Sequence, residues 1–139
     1  MPKLTRWSIK TALQWFVAAT VVGFVTTAPT ALGLPAALTG LGPLYVRFLT
    51  LGWLTQLIFG VVFWLFPTYD KARPHGSERL AWATFALLNG SLVLWALAEG
   101  VQPVAGVPAP SWVFVLAALS LWLAGLGFVI NTWGRVKVR

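Results

Sequence analysis

The amino-acid sequence predicts an all-α, polytopic membrane protein: a single domain, 1–139, of four transmembrane helices in an up-down-up-down bundle. Three observations carry that reading. Hydrophobic residues make up 58% of the chain and charged ones 9%, against roughly 25% charged in an ordinary soluble domain. Four runs are long and apolar enough to cross about 30 Å of hydrocarbon, which takes about 20 helical residues. The basic residues cluster between those runs, always on the same side but once.

The spans are expected at about 11–32, 44–66, 80–98 and 112–132. Gly42-Pro43 opens the second with proline in a tolerated first-turn position, and Pro67 stops it. Ser77 is a candidate N-cap for the third span and Ser111 for the fourth. The first run is longer than the apolar core of a signal peptide and reads as a retained helix.

Orientation follows from lysine and arginine. Lys3, Arg6 and Lys10 precede the first span, Lys71, Arg73 and Arg79 join the second to the third, and Arg135, Lys137 and Arg139 follow the fourth. Nine of the ten basic residues thus share a side, and Arg47 stands alone on the other. The expectation is a multi-pass protein of a bacterial cytoplasmic membrane, with both termini and the 67–79 loop cytoplasmic and the loops 33–43 and 99–111 outside. The net charge of +7 sits beside apolar runs, the pattern of charges facing anionic lipid headgroups rather than nucleic acid.

Nine tryptophans divide by depth. Trp7, Trp64, Trp82 and Trp133 are expected as interface anchors at the inner boundary and Trp95 and Trp112 at the outer one. Trp15, Trp53 and Trp122 lie deeper, against neighbouring helices or a ligand. Helices in lipid associate through small residues and a few polar contacts. The candidate packing positions are Ala19 and Gly23, Gly52 and Gly60, Ala86 and Gly90, and Ser120 and Ala124.

Chemistry is sparse. There is no cysteine, so thiolate metal sites and covalent haem attachment have no ligand, and the one histidine, His75, falls in a hydrophilic loop. No metal site and no catalytic residue is predicted, and the sequence carries no nucleophile–base pair, carboxylate dyad or phosphate-cradling loop. Gln56 and Asn89 are the strongest polar groups at membrane depth, and with Arg47 they are the weak candidates for cofactor contact. For Gln56 and Asn89 two readings stand: interhelical hydrogen bonding, or contact with a quinone or other cofactor. Arg47 has snorkelling to lipid phosphate, a carboxylate on another subunit or a cofactor propionate; Glu99, at the outer end of the third span, is expected to be solvated, with a pairing to Arg47 as its alternative.

The stretch "LYVRFLTLGWLTQLIFGVVFWLFP" (44–67), with "RWSIKTAL" (6–13), "GSERLAWATFALLN" (76–89) and "NTWGRVKVR" (131–139), resembles short four-helix membrane proteins related to the front of subunit I of haem–copper oxidases and nitric oxide reductases. In those oxidases the start of the second helix carries a haem-ligating histidine, and the position that looks equivalent holds Arg47. A guanidinium offers iron no lone pair, so the haem role does not transfer. The resemblance implies a non-catalytic accessory subunit of a respiratory or photosynthetic electron-transfer complex, whose partners are membrane lipids and other membrane subunits. The alternative is a small haem b- or quinone-binding protein, with haem b or quinone shared with partner subunits. A small transporter is a third class, disfavoured because no span carries an acid near its centre.

Overall fold

A computed structural model describes residues 1–66 and 76–136, apart from the side chain of Val104. The expected roles of Pro67, Lys71, Arg73, His75, Lys137 and Arg139 lie outside the described residues. Four helices cross: α1 (Lys3–Thr27), α2 (42–65), α3 (Glu78–Ala105) and α4 (Ser111–Trp133). Each is long and apolar enough to span a bilayer.

Helix ends differ from the sequence expectation by several residues. The first helix starts at Lys3, well before the apolar run, and ends at Thr27 ahead of Pro29. Two 3₁₀ turns (Thr30–Leu32 and Ala36–Leu41) then return the chain, with Gly33 left-handed at φ 69° between them. The third helix, expected to be the shortest, has 28 residues and continues through Pro103 to a left-handed Gly106. Ser77 caps it as expected, its hydroxyl accepting from Leu80 N–H. At α4 the flanking cap is Pro110, and Ser111 is the first helical residue.

The contacts set the order of the helices. At one end Leu4, Phe63 and Ala81 pack together, which joins the start of α1, the end of α2 and the start of α3. At the other, Ala19, Leu44, Phe48 and Leu92 form a second cluster. Two antiparallel hairpins, α1–α2 and α3–α4, therefore lie against each other. Phe59 of α2 stacks on Phe128 of α4 at 3.8 Å.

Close approach needs missing side chains, and the sequence supplies them. A Cβ on Gly52 would stand 2.7 Å from Trp15 Cβ and Cγ, one on Gly60 2.7 Å from Ser8 Cβ, and one on Gly23 2.9 Å from the Tyr45 ring. Beside Trp15, α2 widens. Phe48–Thr55 is wound as a π-helix between α-helical Gly42–Arg47 and Gln56–Leu65. Wide turns of this kind are rare and short. Here the loosened register accompanies the indole seated on Gly52, and Thr55 Oγ donates to the Thr50 carbonyl five residues back. Other threonines do the same within their helices, including Thr20, Thr27 and Thr132, because hydrocarbon offers no other partner.

Ala86 and Gly90 correct the packing assignment. The inward face of α3 is Ala81, Thr84, Leu88, Ser91, Leu92 and Ala98, all buried. At 100° per residue, Ala86 and Gly90 fall on the opposite side; both are exposed, and a Cβ on Gly90 would meet nothing within 4 Å. Ala19 and Ala124 are buried at helix contacts, and Ser120 is half-buried.

This contrast gives a paired test by thermal unfolding in neutral detergent. Gly52→Ala should destabilise by about 1–3 kcal/mol, because the new methyl forces α1 and α2 apart. Gly90→Ala should be neutral or stabilising by up to ~1 kcal/mol, since it meets open space and favours helix. Equal effects would remove the distinction between the two faces.

Candidate functional site: polar side chains inside the bundle

Polar groups enter the bundle at three levels. At the end that carries Arg47, the guanidinium forms a salt bridge with Glu99 of α3 through Nη1 and Oε1. Arg47 Cζ also lies 3.9 Å from the centre of the Trp95 ring, within cation–π range. Trp95 in turn meets Phe114 of α4 edge-on at 5.5 Å. For Arg47 the structure selects a carboxylate partner, and it is Glu99 of the same chain. Trp95 is accordingly not a belt residue: it is half-buried inside the bundle, with its Nε1 enclosed.

Half-way across, Trp15 Nε1 donates to Asn89 Oδ1 at 2.7 Å, and Asn89 Nδ2 donates to the Phe85 carbonyl at 2.8 Å. The same indole ring lies 4.7 Å from Phe48. Asn89 thus ties α1 to α3.

The third level is Gln56, 1% exposed. Its Nε2 reaches the Ser8 carbonyl at 3.4 Å, while Oε1 finds no partner among the described residues, as does the nearby buried Thr84 Oγ. Both residues line a cavity of about 30 Å³ where all four helices meet, walled by Phe59, Phe63, Phe85 and Phe128. Ligand pockets run to roughly 300–1,000 Å³, while a water needs about 10–15 Å³. The space suits water, not a quinone ring.

A wider pocket of about 470 Å³ opens beside the ion pair, lined by Ala37, Gly40, Pro43, Glu99, Gln102, Pro103 and Phe114. Among the described residues no three His, Cys, Asp or Glu side chains come together.

Sequence reasoning missed Arg135. Read there as a charge facing headgroups, it is fully buried, and its Nη2 donates to the carbonyls of Phe66 at 2.7 Å and Phe63 at 3.1 Å. Those are last-turn oxygens of α2, so Arg135 caps a neighbouring helix at the negative end of its dipole. Burial lowers its pKa from the ordinary value, yet a guanidinium remains charged at any physiological pH. The signal was faint: Gly134-Arg135 just past the fourth span, where a turn can fold the side chain back. Asn131 makes a matching tie, its Oδ1 accepting from Ser77 N–H at 2.9 Å.

The remaining anchors divide. Trp7, Trp64, Trp112 and Trp133 are exposed on the outside of the bundle. Trp82 is half-buried and meets Phe85 edge-on at 5.7 Å. Of the deeper three, Trp53 packs on Phe16 at 4.6 Å, but Trp122 is 61% exposed. Compared with family models, characterised proteins and solved structures, the chain matches none.

The pair and the amide bridge have separable energetics. Asn89→Leu should cost about 1 kcal/mol, the usual worth of an interhelical hydrogen bond. Arg47→Gln or Glu99→Gln alone should cost about 1–3 kcal/mol by leaving a half-buried charge unpaired. The double variant should cost less than the two added together. Additive losses in a double-mutant cycle would show that the two side chains do not act as a pair.

Proposed function

We propose that this chain is a non-catalytic, integral-membrane subunit of a larger membrane electron-transfer assembly, lying in a bacterial cytoplasmic membrane with both termini on the cytoplasmic side. The carrying observation is the outer face of α3. Ala83, Ala86 and Gly90 are exposed there, with open space beyond Gly90. Small residues three and four apart are what membrane helices use to bring backbones together, and this set is not used inside the bundle. Its occupant is a helix of a different subunit.

The inside of the bundle supports the same reading. Arg47, Asn89 and Gln56, the residues with any prospect of holding a cofactor, are each bonded across helices. The link to electron transfer rests on the resemblance of the second span to the oxidase subunit. The cytoplasmic termini rest on charge: the described basic residues other than Arg47 gather at the end where α1 and α3 begin.

Gentle solubilisation from native membranes tests the proposal. The chain should travel at fixed stoichiometry with subunits that carry redox or pigment groups, and Gly90→Leu should release it while leaving its own melting temperature within a few degrees. A monomer, or a homodimer without other chains, would overturn the reading. Because the chain has no cysteine, Gly90→Cys offers a unique cross-linking handle to identify the neighbour.

A second reading, quinone binding, has one observation in its favour: the pocket of about 470 Å³ beside Glu99 is within the size range of ligand sites. Quinone retained through purification, and lost on substituting Phe114 by tryptophan to fill the pocket, would favour it over the first.

A further inference from the structure

Lys3, Arg6 and Lys10 stand on one side of the first turns of α1, with Trp7 among them. At 100° per residue the four fall within about a third of the circumference, and they line a pocket of about 240 Å³. The opposite side of the same turns, Leu4, Thr5, Ser8 and Ala12, is buried in the bundle. The basic side chains are therefore exposed and point away from the protein.

This placement is unfavourable for the isolated chain. The pairs Lys3–Arg6 and Arg6–Lys10 repel at i,i+3 and i,i+4 spacing. They sit at the helix end where the peptide dipole is already positive. The first turn has no acidic residue and the cap supplies no side-chain acceptor. No described carboxylate pairs with any of the three. An anion from outside the chain removes all of these costs at once.

The apolar part of α1 says what carries that anion. Leu13, Val17, Val21 and Phe24 continue the same side toward the other end of the helix, and each is more than half exposed. A phosphate placed among the three cations would have its acyl chains alongside that stripe, with Trp7 at the level where indoles favour the interface.

We propose that Lys3, Arg6 and Lys10 form a binding site for the phosphate of an anionic phospholipid, whose chains lie along Leu13, Val17, Val21 and Phe24. Three cations near an anionic headgroup suffice for a preference on the order of a hundredfold over a zwitterionic lipid. The site rests on charge and geometry alone and holds whether or not the chain has a partner subunit.

The test compares melting temperature and lipid retention, by native mass spectrometry, for the full chain in neutral detergent. Phosphatidylglycerol, phosphatidylcholine or inorganic phosphate is added in turn. Phosphatidylglycerol should raise the melting temperature by several degrees and stay bound; the other two should do neither. The Lys3→Gln, Arg6→Gln, Lys10→Gln variant should lose that gain. In neutral detergent without lipid it should melt no lower than the parent, because its substitutions relieve repulsion. Arg79→Gln, a cation at the same end on α3, should retain the gain. Equal stabilisation by phosphatidylcholine, reproduction by inorganic phosphate, equal loss on Arg79→Gln, or a variant that keeps the gain would each overturn the site.

Discussion

The indole of Trp15 reaches three neighbours at once, and the arrangement of the other helices depends on it. Its N–H bonds Asn89 of α3, its ring leans on Phe48 of α2, and its Cβ occupies the space that a side chain at position 52 would need. In lipid, apolar contact alone is a poor glue, since acyl chains are as apolar as leucine. A residue that combines a large packed ring with a donor that must be satisfied fixes both distance and register. The distance sets Gly52 as the only tolerable neighbour, and the widened turns from Phe48 to Thr55 let α2 pass the ring. The register aligns the turns of α2 on either side of the indole, so that Arg47 faces Glu99 of α3 on one side and Gln56 faces Ser8 of α1 on the other.

Cations follow two different rules in this bundle, and both operate at the end where α1 and α3 begin. Arg135 and Arg47 are both taken up by the protein, one by carbonyls at the closing turn of α2, the other by a carboxylate and an aromatic face. Arg135 works with the helix dipole and Lys3, Arg6 and Lys10 work against it. That opposition separates cations with a folding role from cations that no described carboxylate pairs with. The positive-inside pattern makes no such distinction, because it counts charges and not their positions on a helix.

The number and order of the helices were legible because hydrocarbon thickness and backbone satisfaction constrain them directly. Glu99 as a partner for Arg47 was only one reading among several, because a guanidinium so near a helix end can equally snorkel to a lipid phosphate. The inward face of α3 was not legible. Its apolar residues are spread around the helix, so Ala86 and Gly90 looked as suited to the interior as Thr84 and Leu88. In a soluble protein the polar face would have revealed the difference; in lipid both faces are apolar. Trp95 was misplaced for a related reason: near a helix end an indole serves equally in a belt or under a guanidinium. Arg135 was hidden because its acceptors are carbonyls of a helix some seventy residues away, and backbone acceptors leave no trace in composition.

What the interior uses and what the exterior leaves open bear together on function. The proposed role asks the interior to hold its shape rather than to exchange partners. Here the inner cavity has room only for water, and the guanidinium of the charged pair lies against the Trp95 ring. Breaking either the pair or the Trp15–Asn89 bond to admit a substrate would loosen the contacts that hold the two hairpins together, so these groups are better suited to rigidity than to exchange. The adaptable chemistry is on the outside: small residues on α3, basic side chains on α1, and tryptophans on α2 and α4. A bundle so packed within and differentiated without fits the proposed role, in which the chain works through the shape and charge it turns toward lipid and toward a neighbouring subunit.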